Sequence, residues 1–226
     1  MIKFSNVTKK FGDITALDSV SFNIKQGEFV FLVGPSGAGK TTLFKLVLKE
    51  YLPTTGEIQV GGVPLDKVPR KKIPEYRRKI GVVFQDFKLL LYQTVFENVA
   101  VALKILGEKE DIIEKEVDKI LKLVGLADRA DLFPGQLAGG EIQRACLARA
   151  IAGQPEIILA DEPTGNLDIQ TGRQIVKLLK KINETGKTIL IATHNFEIVN
   201  EMNQRVIELK SGKIVSDQKK GKYPLP

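Results

Sequence analysis

Residues 2–8 and 20–24 alternate apolar and polar side chains, the period-two pattern of strands with one wet face. Lys25-Gln26-Gly27 predicts a turn into the apolar run Phe29–Val33, which leads into a glycine-rich segment and then the helical stretch TLFKLVLKEYL. Short strands are expected at Glu57–Val60 and Ile80–Phe84. From about Leu89 to Gly153 the period changes to that of helices, predicted over Thr94–Leu106, Asp111–Val124 and Gly139–Ala152. After Pro155 the run Ile157–Ala160 has no polar position, as a parallel strand covered on both faces requires. A helix over 168–182, a strand over Thr188–Ala192, a helix over 195–202 and a hairpin about Ser211-Gly212 complete the pattern. The tail GKYPLP is expected to fray. Strands alternating with helices predict an α/β fold with crossovers, interrupted by an all-helical insert.

Composition narrows this. At 226 residues and 43% hydrophobic, the chain suits one sizeable domain with a real core. The single cysteine, Cys146, excludes a disulfide framework or a multi-cysteine zinc site and fits a reducing compartment. No apolar run approaches the ~18–20 residues that span a bilayer, and MIKFSNVTKK lacks the apolar core of a signal peptide. The expectation is a cytoplasmic protein whose membrane contact is indirect. The net charge of +7 suits a phosphate ligand, nucleic acid or an anionic surface. The densest patch, Arg70–Lys79, has six basic residues in ten and reads first as a solvated helix with flanking turns.

The chemistry begins at Gly34-Pro35-Ser36-Gly37-Ala38-Gly39-Lys40-Thr41, a full Walker A pattern between an apolar strand and a helix. Its glycines let successive backbone N–H groups turn inward around phosphates, and the helix N-terminus adds partial positive charge. Lys40 is placed to reach the β- and γ-phosphates of ATP, and the Thr41 hydroxyl to ligate Mg²⁺. Downstream, the strand Ile157–Ala160 ends in Asp161-Glu162. Two carboxylates at the tip of a doubly buried strand need something cationic opposite, and Mg²⁺ and Lys40 are the candidates. Asp161 is the expected metal ligand and Glu162 the general base for the attacking water. His194, the single histidine, ends an apolar strand and is a candidate for γ-phosphate contact.

About twenty residues before that strand stands Leu137-Ala138-Gly139-Gly140-Glu141, which resembles the signature sequence of the ABC ATPases. Other elements of that family follow in register along the whole chain. Phe11 resembles the aromatic that stacks on adenine, Gln85 the Q-loop glutamine that touches the metal, Asn166-Leu167-Asp168 the D-loop, and His194 the switch histidine. The resemblance implies a P-loop (RecA-like) core with a mixed sheet, an antiparallel β subdomain and a helical insert. It divides a single domain into a nucleotide-binding core (1–88 and 154–226) and a helical subdomain (89–153). It also implies nucleotide contacts from Ala16 and Thr42 besides the loop itself, and closure of the signature of one subunit on the ATP of the other in a head-to-tail homodimer.

Within the family, residues 81–90 and 94–100 are most similar to the bacterial cell-division ATPases, with lipoprotein-release and efflux ATPases as near relatives. That similarity implies an integral membrane subunit as partner, at the inner face of the plasma membrane, and no nucleic acid. An importer or exporter motor is the alternative. A DNA-repair member would carry a coiled-coil insertion or zinc cysteines, and a translation-associated one two Walker A motifs. Three departures stand out: Ala138 in place of the signature serine, Asn195 in place of an aspartate, and Leu91-Tyr92-Gln93 in place of Pro-Asp-Arg. Phe87, Leu89, Leu90, Leu91 and Tyr92 are five large apolar side chains in six positions, so part of this segment is expected to be exposed for docking.

Overall fold

The unbroken apolar runs form the centre of a six-stranded sheet. This computed structural model describes residues 1–223. Strands β3 (Phe29–Val33), β6 (Ile80–Val83), β7 (Ile157–Asp161), β8 (Thr188–Thr193), β9 (Arg205–Lys210) and β10 (Lys213–Gln218) stand in the order β10-β9-β3-β8-β7-β6. All neighbours are parallel except β9 and β10, the predicted hairpin. Alternate side chains serve two cores. Phe29, Phe31, Ile158, Ala160, Ile189 and Ile191 face one, while Val30, Leu32, Ile157, Leu159, Leu190 and Ala192 face the other. Burial on both faces is why these strands lack polar positions.

The first core is closed by helices α3 (Val95–Leu106), α4 (Glu110–Val124), α5 (Gly139–Ala152) and α6 (Ile169–Asn183). The second is closed by α1 (Lys40–Val47) and a four-stranded antiparallel sheet. That sheet comprises β1 (Ile2–Phe11), β2 (Ile14–Ile24), β4 (Thr55–Val60) and β5 (Val63–Pro64), in the order β2-β1-β4-β5. The mixed sheet, the antiparallel sheet and the run of helices between β6 and β7 are the architecture that the motifs imply.

Five parts of the chain differ from what the sequence predicts. β1 and β2 are longer than their alternating segments, because three register shifts in their pairing break the strict period of two. α1 ends at Val47 rather than continuing to Leu52, since Lys49 turns left-handed at φ 53 and its ammonium is drawn to the carbonyls of Leu65 and Val68. The basic patch holds a short helix, α2 (Ile73–Arg77), but is not merely solvated. Arg77 Nε donates to the Leu48 carbonyl at 2.9 Å and the Tyr76 hydroxyl to that of Val47, so the patch closes the C-terminus of α1. The tail is not frayed as far as it is described. Tyr223 exchanges two backbone bonds with the Asn200 amide on α7 (Phe196–Met202), at 2.7 and 3.0 Å, and Pro224–Pro226 lie outside the described residues.

Candidate functional site

The site lies at the carboxyl ends of β3, β7 and β8, neighbours in the sheet, where open parallel sheets collect ligands. The chain leaves β3 at Gly34 (φ 148), where an added Cβ would sit 2.0 Å from the Leu209 carbonyl oxygen. It enters α1 through Gly39 (φ 109), where a Cβ would stand 2.6 Å from the Ala16 carbonyl oxygen. Only glycine fits either place, so the loop lies flat against β2 and β9 with the start of α1 aimed into a cavity.

Lys40 is the first residue of α1, and its ammonium is buried. Nζ donates to the Gly34 carbonyl at 2.7 Å and to Pro35 at 3.1 Å, and stands 3.9 Å from Glu162 Oε1. Burial pushes its pKa down, against the opposing pull of the Glu162 and Asp161 carboxylates. Next along the helix, the Thr41 hydroxyl donates to Asp161 Oδ2 at 3.0 Å. Burial pushes the Asp161 carboxyl up; the Thr41 bond opposes this and the Glu162 charge adds to it. A half-buried acid held by one hydroxyl and crowded by a second carboxylate is a place for a cation.

Glu162 has φ 46, a left-handed conformation that costs a non-glycine residue about 1–2 kcal/mol. It is held there by its own N–H, which donates to the Ala192 carbonyl at 2.8 Å. Its carboxylate, only 11% exposed, meets Nδ1 of His194 at 2.8 Å on Oε1. Asn195 takes over the capping role of an aspartate, since its side-chain oxygen accepts from the Ile198 N–H at 3.1 Å and starts α7.

Pro35 to Thr42, Ala16, Gln85, Asp161, Glu162 and His194 line one cavity of about 690 Å³. The expected site residues that do not line it are Gly34, which turns the chain into the loop, Phe11, and the signature and D-loop residues. Phe11 is 40% exposed at the end of β1, edge-on to Tyr51 with ring centroids 5.1 Å apart. Leu137 to Glu141 open α5 on another part of the surface. The Ala138 N–H donates to the Glu141 carboxylate at 2.9 Å, the half of a reciprocal cap that needs no serine hydroxyl. Glu141 also binds Arg129 at 3.0 Å, and these two bonds, the backbone one first, hold its pKa low. Asp168 caps α6, accepting from the N–H groups of Gln170 and Thr171, both at 3.0 Å. The signature packs against the D-loop and the start of α6, as a Cβ on Gly139 would stand 3.5 Å from Leu167 Cδ2 and one on Gly140 2.6 Å from the Thr171 methyl.

Reading by sequence missed Ile14, Thr15, Phe196 and Tyr223, which complete the cavity wall. Tyr223 carried no local signal, because distant partners bring the tail back to the site: the Asn200 amide, and the Gln204 carbonyl, which accepts from the Gly221 N–H at 3.1 Å. A second cavity, a groove of about 420 Å³, lies between β6 and the helices, walled by Arg77, Phe84, Lys88, Ile105, Leu106 and Arg149 among others. Near it Leu90, Leu91 and Tyr92 are 45%, 67% and 91% exposed, whereas Leu89 is buried.

Residues 17–165 match the family model described as ABC transporter. The cell division ATP-binding protein FtsE of Bacillus subtilis (strain 168) is 50% identical over 224 residues, covering 99% of this chain and 98% of that protein. Its namesake from Escherichia coli (strain K12) is 42% identical over 213 residues, covering 94% and 96%. Among solved structures, the cassette MJ0796, described as a dimer in a post-hydrolysis state bound to ADP and Pi, superimposes with a TM-score of 0.89 at 39% identity over 99% of this chain and all of that one. CbiO1 of Clostridium perfringens, part of an ABC transporter complex, gives a TM-score of 0.90 at 32% identity, covering 96% and 88%.

Proposed function

The chain belongs to the ABC transporter family, and we propose that it is the ATP-hydrolysing subunit of a membrane complex, in the role of the cell-division ATP-binding protein FtsE. One observation carries the chemical part. Lys40, Glu162 and His194 converge at the mouth of a phosphate-binding loop, with Glu162 between the other two at 3.9 and 2.8 Å.

ATP enters with its phosphates over Pro35–Thr42 and its adenine toward Phe11. The backbone N–H groups and the dipole of α1 receive the β- and γ-phosphates, and Lys40 exchanges its loop carbonyls for them. Thr41, Asp161 and the Gln85 amide supply oxygens only, which suits a hard divalent cation such as Mg²⁺. That ion, when bound, neutralises charge developing on the phosphates. Glu162 orients the attacking water and accepts its proton, and His194 holds the Glu162 carboxylate and reaches the γ-phosphate. The strained backbone of Glu162 keeps the base aimed into the cavity rather than along the strand.

The signature residues open a helix N-terminus, which suits an anion, and line no part of this chain's own nucleotide cavity, so the phosphate they receive is assigned to a second copy. Leu137 to Glu141 and Asp168 close on the partner's ATP in a head-to-tail homodimer. The exposed Leu90, Leu91 and Tyr92 meet an integral membrane subunit of the FtsX type, which holds the protein at the inner face of the plasma membrane. The test is ATPase assay with co-purification from native membranes. Hydrolysis that depends on Lys40 and Glu162, together with recovery of an FtsX-like protein, is the expected result. Recovery of a transporter permease instead would make the chain an import or efflux motor with the same chemistry.

A further inference from the structure

Just after Gln85 the chain makes an unusual turn. Phe87 and Lys88 are both left-handed, at φ 62 and 55, and neither is a residue that tolerates this conformation easily. The turn keeps little backbone bonding of its own: Phe87 N–H donates to Phe84 at a long 3.3 Å, and Lys88 N–H to Asp86 at 2.6 Å. What holds the pair is a side chain from a distant element. Arg149 on α5 donates through Nη2 to the Phe87 carbonyl at 3.0 Å and through Nη1 to the Lys88 carbonyl at 2.5 Å. One turn earlier on the same face, the Cys146 thiol donates to the Phe87 carbonyl at 3.3 Å.

The Arg149 guanidinium is a costly way to make two backbone bonds. Burial lowers its pKa, and no carboxylate among the described residues forms an ion pair with it. A guanidinium is a rigid fork, and here its two donors meet the carbonyls of two successive left-handed residues, so the grip favours the backbone that presents them together. The clamp also stands between the two cavities. Gln85 lines the nucleotide cavity, whereas Lys88 and Arg149 line the groove. Helix α5 carries the signature residues in its first turn and Arg149 in its last.

We propose that Arg149 is a positioning residue for Gln85. Its forked guanidinium, assisted by the Cys146 thiol, holds Phe87 and Lys88 left-handed and thereby fixes Gln85 at the nucleotide cavity. Its consequence for ATP turnover rests on the proposed function; the clamp itself does not. The alternative is that Arg149 only packs α5 against the sheet.

Two readouts separate these. In nucleotide-free protein, amide hydrogen exchange over residues 85–89 reads the clamp without any activity. Arg149→Gln, which keeps bulk but loses the fork, is expected to exchange there roughly tenfold faster, with α5 unchanged. Arg149→Lys, one donor group in place of two, should fall between and serves if the glutamine variant does not fold. ATPase assay then reads the consequence, with kcat/KM of Arg149→Gln expected to fall roughly tenfold. Glycine takes positive φ freely, so Phe87→Gly with Lys88→Gly in the Arg149→Gln background should recover much of that loss. Packing of α5 would not be repaired by glycines in another segment. Unchanged exchange over 85–89 in a folded Arg149 variant, or no recovery by the glycine pair, overturns the proposal. A wild-type chain that hydrolyses no ATP would overturn the proposed function instead, while the exchange result still decides the clamp.

Discussion

Lys40 and Glu162 stand 3.9 Å apart but are proposed for different work, and substitution separates the two roles. Lys40→Ala removes a buried positive charge aimed at phosphate and should weaken ATP binding roughly 10- to 100-fold, read by fluorescent-nucleotide titration. Glu162→Gln keeps the cationic ligands and loses the base, so ATP should stay bound while kcat drops about 10²–10⁴-fold. That variant is expected to elute as a dimer in Mg-ATP on size exclusion; a monomer at high concentration would remove Glu162 from its role. Asp168 makes a prediction in pH. Its bonds from Thr171, first, and Gln170 hold its carboxyl below the ordinary range. A lowered pKa contributes stability above the unfolded value and loses it as pH falls through the folded one. The melting temperature lost in Asp168→Ala should therefore be full at neutral pH and shrink below about pH 4. The residue types in this site were legible from spacing, because a phosphate cradle needs glycines, one lysine and one hydroxyl at fixed steps. The left-handed backbone of Glu162 was not, since no local pattern marks a strained glutamate.

At the scale of elements, the exposed turn before α3 is the most exacting piece of construction. Asn98, fully buried, binds the N–H and carbonyl of Leu90 and the carbonyls of Gln93 and Thr94, at 2.8 to 3.1 Å. This one side chain ties down the segment that presents Leu90, Leu91 and Tyr92. Asn98→Ala leaves the part-buried Leu90 N–H and the Gln93 carbonyl without their partner, while the Leu90 and Thr94 carbonyls keep bonds from the Gln93 and Asn98 N–H groups, and should cost roughly 1–3 kcal/mol by denaturant unfolding. A loss well below that range would mean that the turn holds itself. The apolar density of 87–92 could be seen along the chain, and the split into buried Leu89 and exposed neighbours follows from Asn98. The helices were read closely because their 3.6-residue period is uninterrupted. The alternating segments understate β1 and β2 because bulges shift the face a side chain occupies, and the helical pattern overruns α1 because what ends it lies far along the chain: the carbonyl partners of Lys49 and the donors Tyr76 and Arg77.

For the whole molecule, the decisive surfaces are those that a single copy leaves incomplete. Ala138→Ser restores a hydroxyl at the start of α5 and should tighten ATP-dependent dimerisation by a few-fold, measured by sedimentation with the Glu162→Gln background present. No change would mean that the backbone N–H groups alone bind the facing phosphate. Leu91→Asp or Tyr92→Asp should abolish recovery of the proposed membrane subunit while basal ATPase activity persists, read as co-purification and rate on the same preparations. By itself the sequence determined the two-faced sheet, the phosphate loop and the pair of carboxylates. Each depends on residue type at short, fixed separations, where covalent geometry leaves few choices. Tertiary structure alone decided that Tyr223 walls the cavity, that Arg149 grips the turn after Gln85, and that Arg77 ends α1. In each case the partner is a backbone group or a single amide far along the chain, and such partners leave no periodic trace because every residue carries them.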